Sequence, residues 1–186
     1  MGDELAGLLA SDVLTVARRV LGWRLRTVFD GDATEVVLTE VEAYAGLDDP
    51  ASHAFRGETK RNRSLFLAPG TLYVYLSYGI HWCMNVVVND ENSPNAVLLR
   101  GGSPAVGLAV MGERRGRSDH LSDGPGKLTQ ALGVTGDHDG TDLTDGPVWL
   151  LPGDPIDPSR IVATPRIGIS KAADRPWRFV LESSSE

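Results

Sequence analysis

The stretch Gly70–Val88, GTLYVYLSYGIHWCMNVVV, reads as the two strands of one β-hairpin. Strand alternation puts Leu72, Val74 and Leu76 on one face and Tyr73, Tyr75 and Ser77 on the other. The first face is apolar core. The second joins aromatic bodies to hydroxyl handles. Tyr78 and Gly79 fall at the turn, where a large aromatic is hard to bury. On the return strand Cys83 and Asn85 share one face, and Met84 and Val86 share the other. Three of the four tyrosines in the chain lie in this hairpin, and the fourth, Tyr44, closes TEVEAY.

Outward from the hairpin, further elements follow from their patterns. Ser11 is expected to cap a helix carrying Val13, Val16, Ala17, Val20 and Leu21 at helical spacing, with Gly22 at its stop. WRLRTVF (23–29) and TEVVLTEVEAY (34–44) alternate as strands. Residues 45–70 hold glycine, proline and a knot of basic side chains, so they read as a long irregular excursion, a kind of loop that is usually functional. ENSPN (91–95) reads as a turn and AVLLR (96–100) as a strand closing at Arg100. Pro104 is placed to open a helix running to about Arg115. SDGPGKLTQALG (122–133) reads as a short capped helix. PVWLL, RIVATPRIGI and PWRFVLE supply late strands, and SSSE a frayed tail. The pattern predicts an α+β fold over residues 1–186 as a single domain: a curved mixed or antiparallel sheet, flanking helices and a protruding hairpin.

Composition sets limits on function. The 186 residues suffice for one sizeable core, and a hydrophobic fraction of 41% fits a globular chain. No apolar run is long enough to span a bilayer, and the acidic N-terminal stretch does not read as a signal peptide. A single cysteine, Cys83, fits a reducing compartment and a buried thiol. The net charge of −7 disfavours nucleic acid as a partner, but distribution outweighs the sum. Arg56, Lys60, Arg61 and Arg63 form one basic knot and Arg114, Arg115 and Arg117 another, while acids gather at 30–35 and 137–157. A basic face and an ordinary solvated surface both fit that pattern. No metal is expected: the four histidines are scattered, and TGDHDGTD (135–142) lacks the glycine and closing glutamate of a calcium loop.

TEVEAY carries the chemistry. Glu40 and Glu42 share one face of a strand that should be largely buried, and a buried carboxylate needs a partner or a task. Arg100 is the candidate partner. A carboxylate so balanced can serve as a general base for water. A purely structural Glu–Arg pair fits the same residues, as does a hairpin whose tyrosines merely pack at the edge of the core.

EVEAY, the histidine that follows at 53, RN (61–62), PGTLYVYLSYGIHWCMN, VLLR and GPGKLTQALG together resemble the alkyladenine (3-methyladenine) DNA glycosylase family, of the single-domain type rather than the helix-hairpin-helix type. The resemblance covers nearly the whole chain in order. It implies a base-excision enzyme that binds damaged double-stranded DNA, flips one nucleotide and hydrolyses its N-glycosidic bond. It implies Glu42 as the base that deprotonates a water held also by Arg100, and Tyr44 and Tyr75 as the stack around the extruded base. It further implies that His53 lines the same pocket, that Asn85 clashes with the 2-amino group of guanine, that Tyr78 fills the gap in the duplex, and that Tyr73 supports its neighbours. The implied lesions are 3-methyladenine, 7-methylguanine and hypoxanthine, with ethenoadenine a further candidate. A water nucleophile implies a monofunctional enzyme, with no cofactor. Arg56, Lys60, Arg61, Arg63 and Lys127 become candidates for phosphate contacts. The family further implies a monomer of the bacterial, cytoplasmic type acting at the nucleoid. The chain departs from the family's usual pattern at Gly101-Gly102-Ser103, which is expected to loosen the backbone after Arg100. A non-catalytic lesion-binding protein and a hydrolase of free nucleosides are the competing readings. Retention of Glu42 and Arg100 speaks against the first, and Tyr78 at an exposed tip against the second.

Overall fold

The computed structural model describes residues 2–89 and 93–182. Its helices are α1 (Gly2–Leu9), α2 (Val13–Arg19), α3 (Leu108–Arg115) and α4 (Pro125–Leu132). Its strands are β1 (Arg24–Phe29), β2 (Asp32–Ala45), β3 (Leu72–Ser77), β4 (His81–Val88), β5 (Asn95–Val106), β6 (Val148–Leu151), β7 (Ile161–Thr164) and β8 (Arg178–Leu181). The fold is α+β. Among the described residues all eight strands belong to one sheet, and every pairing is antiparallel.

The spatial order β3-β4-β5-β2-β1-β6 makes β2 the spine of the sheet. One edge of β2 runs along β5 for most of its length. The other edge is divided: Asp32–Val37 pair with β1, and Glu40–Glu42 pair with β8. The edge changes partner where β2 and β5 also lose register. Leu38 opposes Gly102 and Glu40 opposes Gly101, but Val41 opposes Leu99. Thr39 on one strand and Arg100 on the other are left without a partner, so each strand carries a bulge there. Bulges bend strands and re-aim side chains, which curls the sheet and turns Arg100 out of the ladder.

The alternation read from the hairpin holds. Leu72, Val74, Met84 and Val86 join the main core with Val97 and Leu99, beneath α1, α2 and α4. The other face carries a smaller cluster of Ala54, Leu65, Tyr73, Val87 and Ala96. The 45–70 excursion folds over that second face through two short 3₁₀ turns, Gly46–Asp48 and Arg63–Phe66. Asn62 pins the excursion. Its amide donates to the carbonyls of His53 and Gly57, and its carbonyl accepts from Thr59. The acidic turn expected at 135–142 is a strut: Asp139 accepts from the Val74 amide and from the Ser64 hydroxyl.

Three local expectations need correction. The cap of α2 is Asp12, which accepts from the amides of Leu14 and Thr15 at 3.1 and 3.0 Å; Ser11 instead bonds back to Gly7 and closes α1, a helix the pattern did not suggest. Pro104 does not open a helix. It lies within β5, which runs past Arg100 to Val106, and α3 begins only after Gly107. Gly101 and Gly102 do not loosen the chain either, because both are paired in β5. A Cβ on Gly102 would stand 2.8 Å from Val36 Cγ2 and 2.9 Å from the Val37 carbonyl oxygen, so glycine is what lets β5 lie this close to β2. Part of ENSPN and all of SSSE lie outside the described residues.

Candidate active site

A cavity of about 460 Å³ opens on the second face of the sheet, between the hairpin, the excursion and the segment that precedes β8. Its wall brings together Tyr44, His53, Tyr75, Tyr78, Asn85 and Arg100, residues scattered over four strands and two loops.

Glu42 lies just behind this wall, fully buried. Its Oε1 accepts from the Ile167 amide at 2.8 Å and faces Arg100 Nη1 at 3.3 Å. Its Oε2 accepts from the Tyr44 hydroxyl at 2.8 Å. A carboxylate offers about four lone-pair sites. Oε1 accepts one hydrogen bond and is paired with the Arg100 guanidinium, whereas Oε2 receives one hydrogen bond and keeps a lone pair beside a phenol that lines the cavity.

Arg100 is clamped from the other side. Its Nε donates to Glu40 Oε1 at 2.7 Å, and Arg178 Nε donates to the same oxygen at 2.7 Å. Burial works against the charge of Glu40, but the two guanidinium hydrogen bonds prevail and hold its carboxyl below the usual range. Burial likewise opposes the charge of Arg100, and the carboxylates of Glu42 and Glu40 outweigh it and push its pKa up. Arg178 carried no signal in the sequence, because it meets Glu40 only after the chain has returned through β8.

The aromatic groups are tightly ordered. Tyr73 and Tyr75 stack with centroids 5.5 Å apart, and His53 meets Tyr75 edge-on at 4.4 Å. His53 Nδ1 is 3.0 Å from the Tyr73 hydroxyl. His53 keeps part of its surface exposed, and the partial burial of its ring against the tyrosines, then the nearby Arg61 charge, lowers its pKa, which favours the neutral ring. Burial raises the pKa of Tyr44, Tyr73 and Tyr75, so all three remain phenols at neutral pH. Asn85 is buried, and its Nδ2 donates to the Tyr73 carbonyl at 3.3 Å. Cys83 is buried beside Tyr75, and burial raises its pKa.

Tyr78 stands at the hairpin tip, 87% exposed. Its φ of 49° lies in the left-handed region, which a bulky residue rarely adopts. Ile80 beside it is also exposed. The basic candidates divide. Arg56, Lys60 and Arg63 are exposed and form no ion pair among the described residues. Arg61 bends to the Leu76 carbonyl and lines the cavity, and Lys127 pairs with Asp123 at 3.0 Å. The second knot is engaged within the fold's surface: Arg114, part-buried, bonds Thr34 and Ala131, while nearer the solvent Arg115 bonds Gln130 and Arg117 bonds Asp119. No helix among the described residues is long and apolar enough to cross a membrane.

RIVATPRIGI reads as a strand throughout, but β7 ends at Thr164, and sequence reasoning missed the irregular segment after it as part of the site. Ile167, Gly168 and Ile169 line the cavity, and the Ile167 amide holds Glu42. The preceding Arg166 is buried against Asp49. Nothing in TPRIGI marks these contacts, which span more than a hundred residues of chain.

A cavity of this size, backed by a hydrogen-bonded carboxylate and overhung by an exposed aromatic, has the make-up of an enzyme active site. A family model described as methylpurine-DNA glycosylase (MPG) matches residues 7–185. The chain belongs to that family of DNA glycosylases, hydrolases of N-glycosyl bonds. A relative from Methanoculleus marisnigri is 49% identical over 185 residues, covering 96% of this chain and 95% of its own. One from Rhodopseudomonas palustris is 55% identical over 150 residues (80% and 74%), and one from Nocardia farcinica 47% over 186 residues (95% and 86%). Each is provisionally named a 3-methyladenine DNA glycosylase.

Proposed function

We propose that this protein flips alkylated or deaminated purines out of duplex DNA and hydrolyses their glycosidic bond with a water activated by Glu42, leaving an abasic site. The observation that carries this reading is the buried carboxylate of Glu42 just behind the cavity wall, paired with the Arg100 guanidinium and hydrogen-bonded by the Tyr44 hydroxyl. The free lone pair of Glu42 Oε2 accepts the proton of the attacking water as its oxygen bonds C1′ and the base departs. Arg100, held by Glu40, balances the carboxylate and orients the water. 3-Methyladenine and 7-methylguanine carry positive charge, so their bonds are weakened already and they leave without an acid. The electron-rich faces of Tyr44 and Tyr75 favour such cations.

His53, presenting a neutral ring, reads the 6-position edge of the purine, and Asn85 excludes guanine. Tyr78 plugs the hole left by the flipped nucleotide. Its strained backbone and exposure support that role, since strain tends to be kept where function uses it. Arg56, Lys60 and Arg63, with Arg61 and Lys127, contact the flanking phosphates. Action as a monomer and as a single domain is part of the same proposal. Duplex DNA carrying hypoxanthine or 7-methylguanine tests the reading. Release of free base from intact strands is the expected result. Tight binding without release would leave a lesion-binding protein, and release only from free nucleosides would leave a nucleoside hydrolase.

A further inference from the structure

Behind Tyr44 lies a charge pair that none of these steps uses. The side chains of Asp49 and Arg166 are both fully buried. Arg166 grips the carboxylate with two N–H groups, Nη2 at 3.0 Å from Oδ1 and Nη1 against Oδ2. Nη1 also donates to the Ala43 carbonyl at 3.0 Å and Nη2 to that of Ala172 at 3.3 Å. The guanidinium carbon stands 4.6 Å from the centroid of the Tyr44 ring. Tyr44 lines the cavity and Arg166 does not, so the guanidinium covers the ring face turned away from it.

This placement has an electrostatic consequence. A guanidinium cannot shed its proton in a protein. Over one face of a ring, it polarises the same π-system that would hold a cation on the other face. A base stacked at ordinary contact distance on the open face would sit about 8 Å from the guanidinium, with no water between. Unbalanced, Arg166 would repel a methylated, positively charged purine and leave a neutral one nearly untouched. Asp49 cancels that repulsion. Arg175 Nη1 also approaches Asp49, at 3.8 Å, but it is partly exposed and screened by solvent.

We propose that Asp49 is a specificity determinant: by neutralising Arg166 behind Tyr44, it keeps the stacking face open to cationic purines as well as neutral ones. The inference rests on the reading of Tyr44 as a stacking residue. A purely structural ion pair would affect all lesions alike, so the readout is a ratio. Single-turnover excision of 7-methylguanine and of hypoxanthine is measured on the same preparation of each variant. Asp49→Asn should lower the 7-methylguanine rate relative to hypoxanthine by about tenfold, the scale of one cation–π contact. Asp49→Asn/Arg166→Met removes charge and partner together and should restore the wild-type ratio. Arg166→Met alone removes the repelling cation, so it must leave the 7-methylguanine share undiminished.

Equal slowing of both lesions by Asp49→Asn overturns the inference, as does a double variant that keeps the altered ratio. A fall in the 7-methylguanine share of Arg166→Met overturns it even if Asp49→Asn does not fold. Tyr44→Leu separates the two readings. Wild-type excision by Tyr44→Leu sinks the stacking assignment itself, whereas a slow Tyr44→Leu with an unshifted Asp49→Asn ratio sinks only the role of Asp49.

Discussion

Asn85 occupies a position where hydrophobic packing alone would favour an apolar side chain. Its strand neighbours Met84 and Val86 go to the core, and its own amide is tied to the Tyr73 carbonyl at the cavity wall. A fixed amide is a steric and polar barrier that a smaller group would remove. Asn85→Ala is expected to release guanine from undamaged DNA at a measurable rate; discrimination equal to wild type would take Asn85 out of that role. Glu40 acts one step further back. It does not itself line the cavity, yet it fixes the Nε of Arg100 and thereby where the remaining N–H groups point. Glu40→Gln should slow single-turnover excision by about tenfold, the cost of one charge-assisted hydrogen bond, with lesion affinity little changed. The opposite split, weaker binding at an unchanged rate, would show that Arg100 binds rather than activates. These two residues also mark where reading the sequence stops. Asn85 stood out as an amide in an apolar strand. The second partner of Glu40, Arg178, lies 138 residues away, and no local pattern encodes that meeting.

At the scale of elements, the β3–β4 hairpin couples a strained turn to an exposed aromatic. Tyr78 pays a steric cost at positive φ that glycine would not. Tyr78→Gly should therefore hold folding stability within about 0.5 kcal/mol, because relief of strain offsets the added freedom of the unfolded chain. The same variant should excise lesions from duplex DNA more slowly than from single strands, where no gap needs filling. Urea unfolding and a paired-substrate assay check both halves, and an unchanged duplex rate would remove Tyr78 from the wedge role. The β2–β5 pair makes a different demand. Gly102→Ala should cost about 1–3 kcal/mol by forcing these strands apart beside the bulge that aims Arg100. Strand alternation was legible in both elements because one face is core and the other is not. The two bulges were not legible, since they fall where the edge of β2 passes from β1 to β8, a change of partner that no local pattern encodes. The Asp30-Gly31 turn between β1 and β2 was a readable hairpin signal, with φ of 54° and 89°, that the reading by strands passed over.

For the whole molecule, the site is held together by charges brought from distant parts of the chain, and that gives stability a direction with pH. Glu40 and Asp49 have folded-state pKa values below their ordinary 4.5 and 3.8. Groups of that kind stabilise the fold above their unfolded values, and the contribution is lost as pH falls through the folded ones. His53 adds to the same trend. Its pKa lies below the ordinary 6.5, so the unfolded chain takes up that proton first. Urea midpoints should be flat near pH 7, drift down below 6.5 and fall more steeply below 4.5; a rise between 6.5 and 4 would contradict these assignments. The central claim is that Glu42 activates the water, and substitution of that one residue tests it. In Glu42→Gln the amide oxygen can still accept from Ile167 and Arg100, and the amide nitrogen can donate to the Tyr44 hydroxyl. Fold and pocket should survive while the base is lost. Single-turnover assays on hypoxanthine-containing duplex should then show lesion affinity close to wild type and excision slowed by at least about a hundredfold. Excision at the wild-type rate would contradict the account.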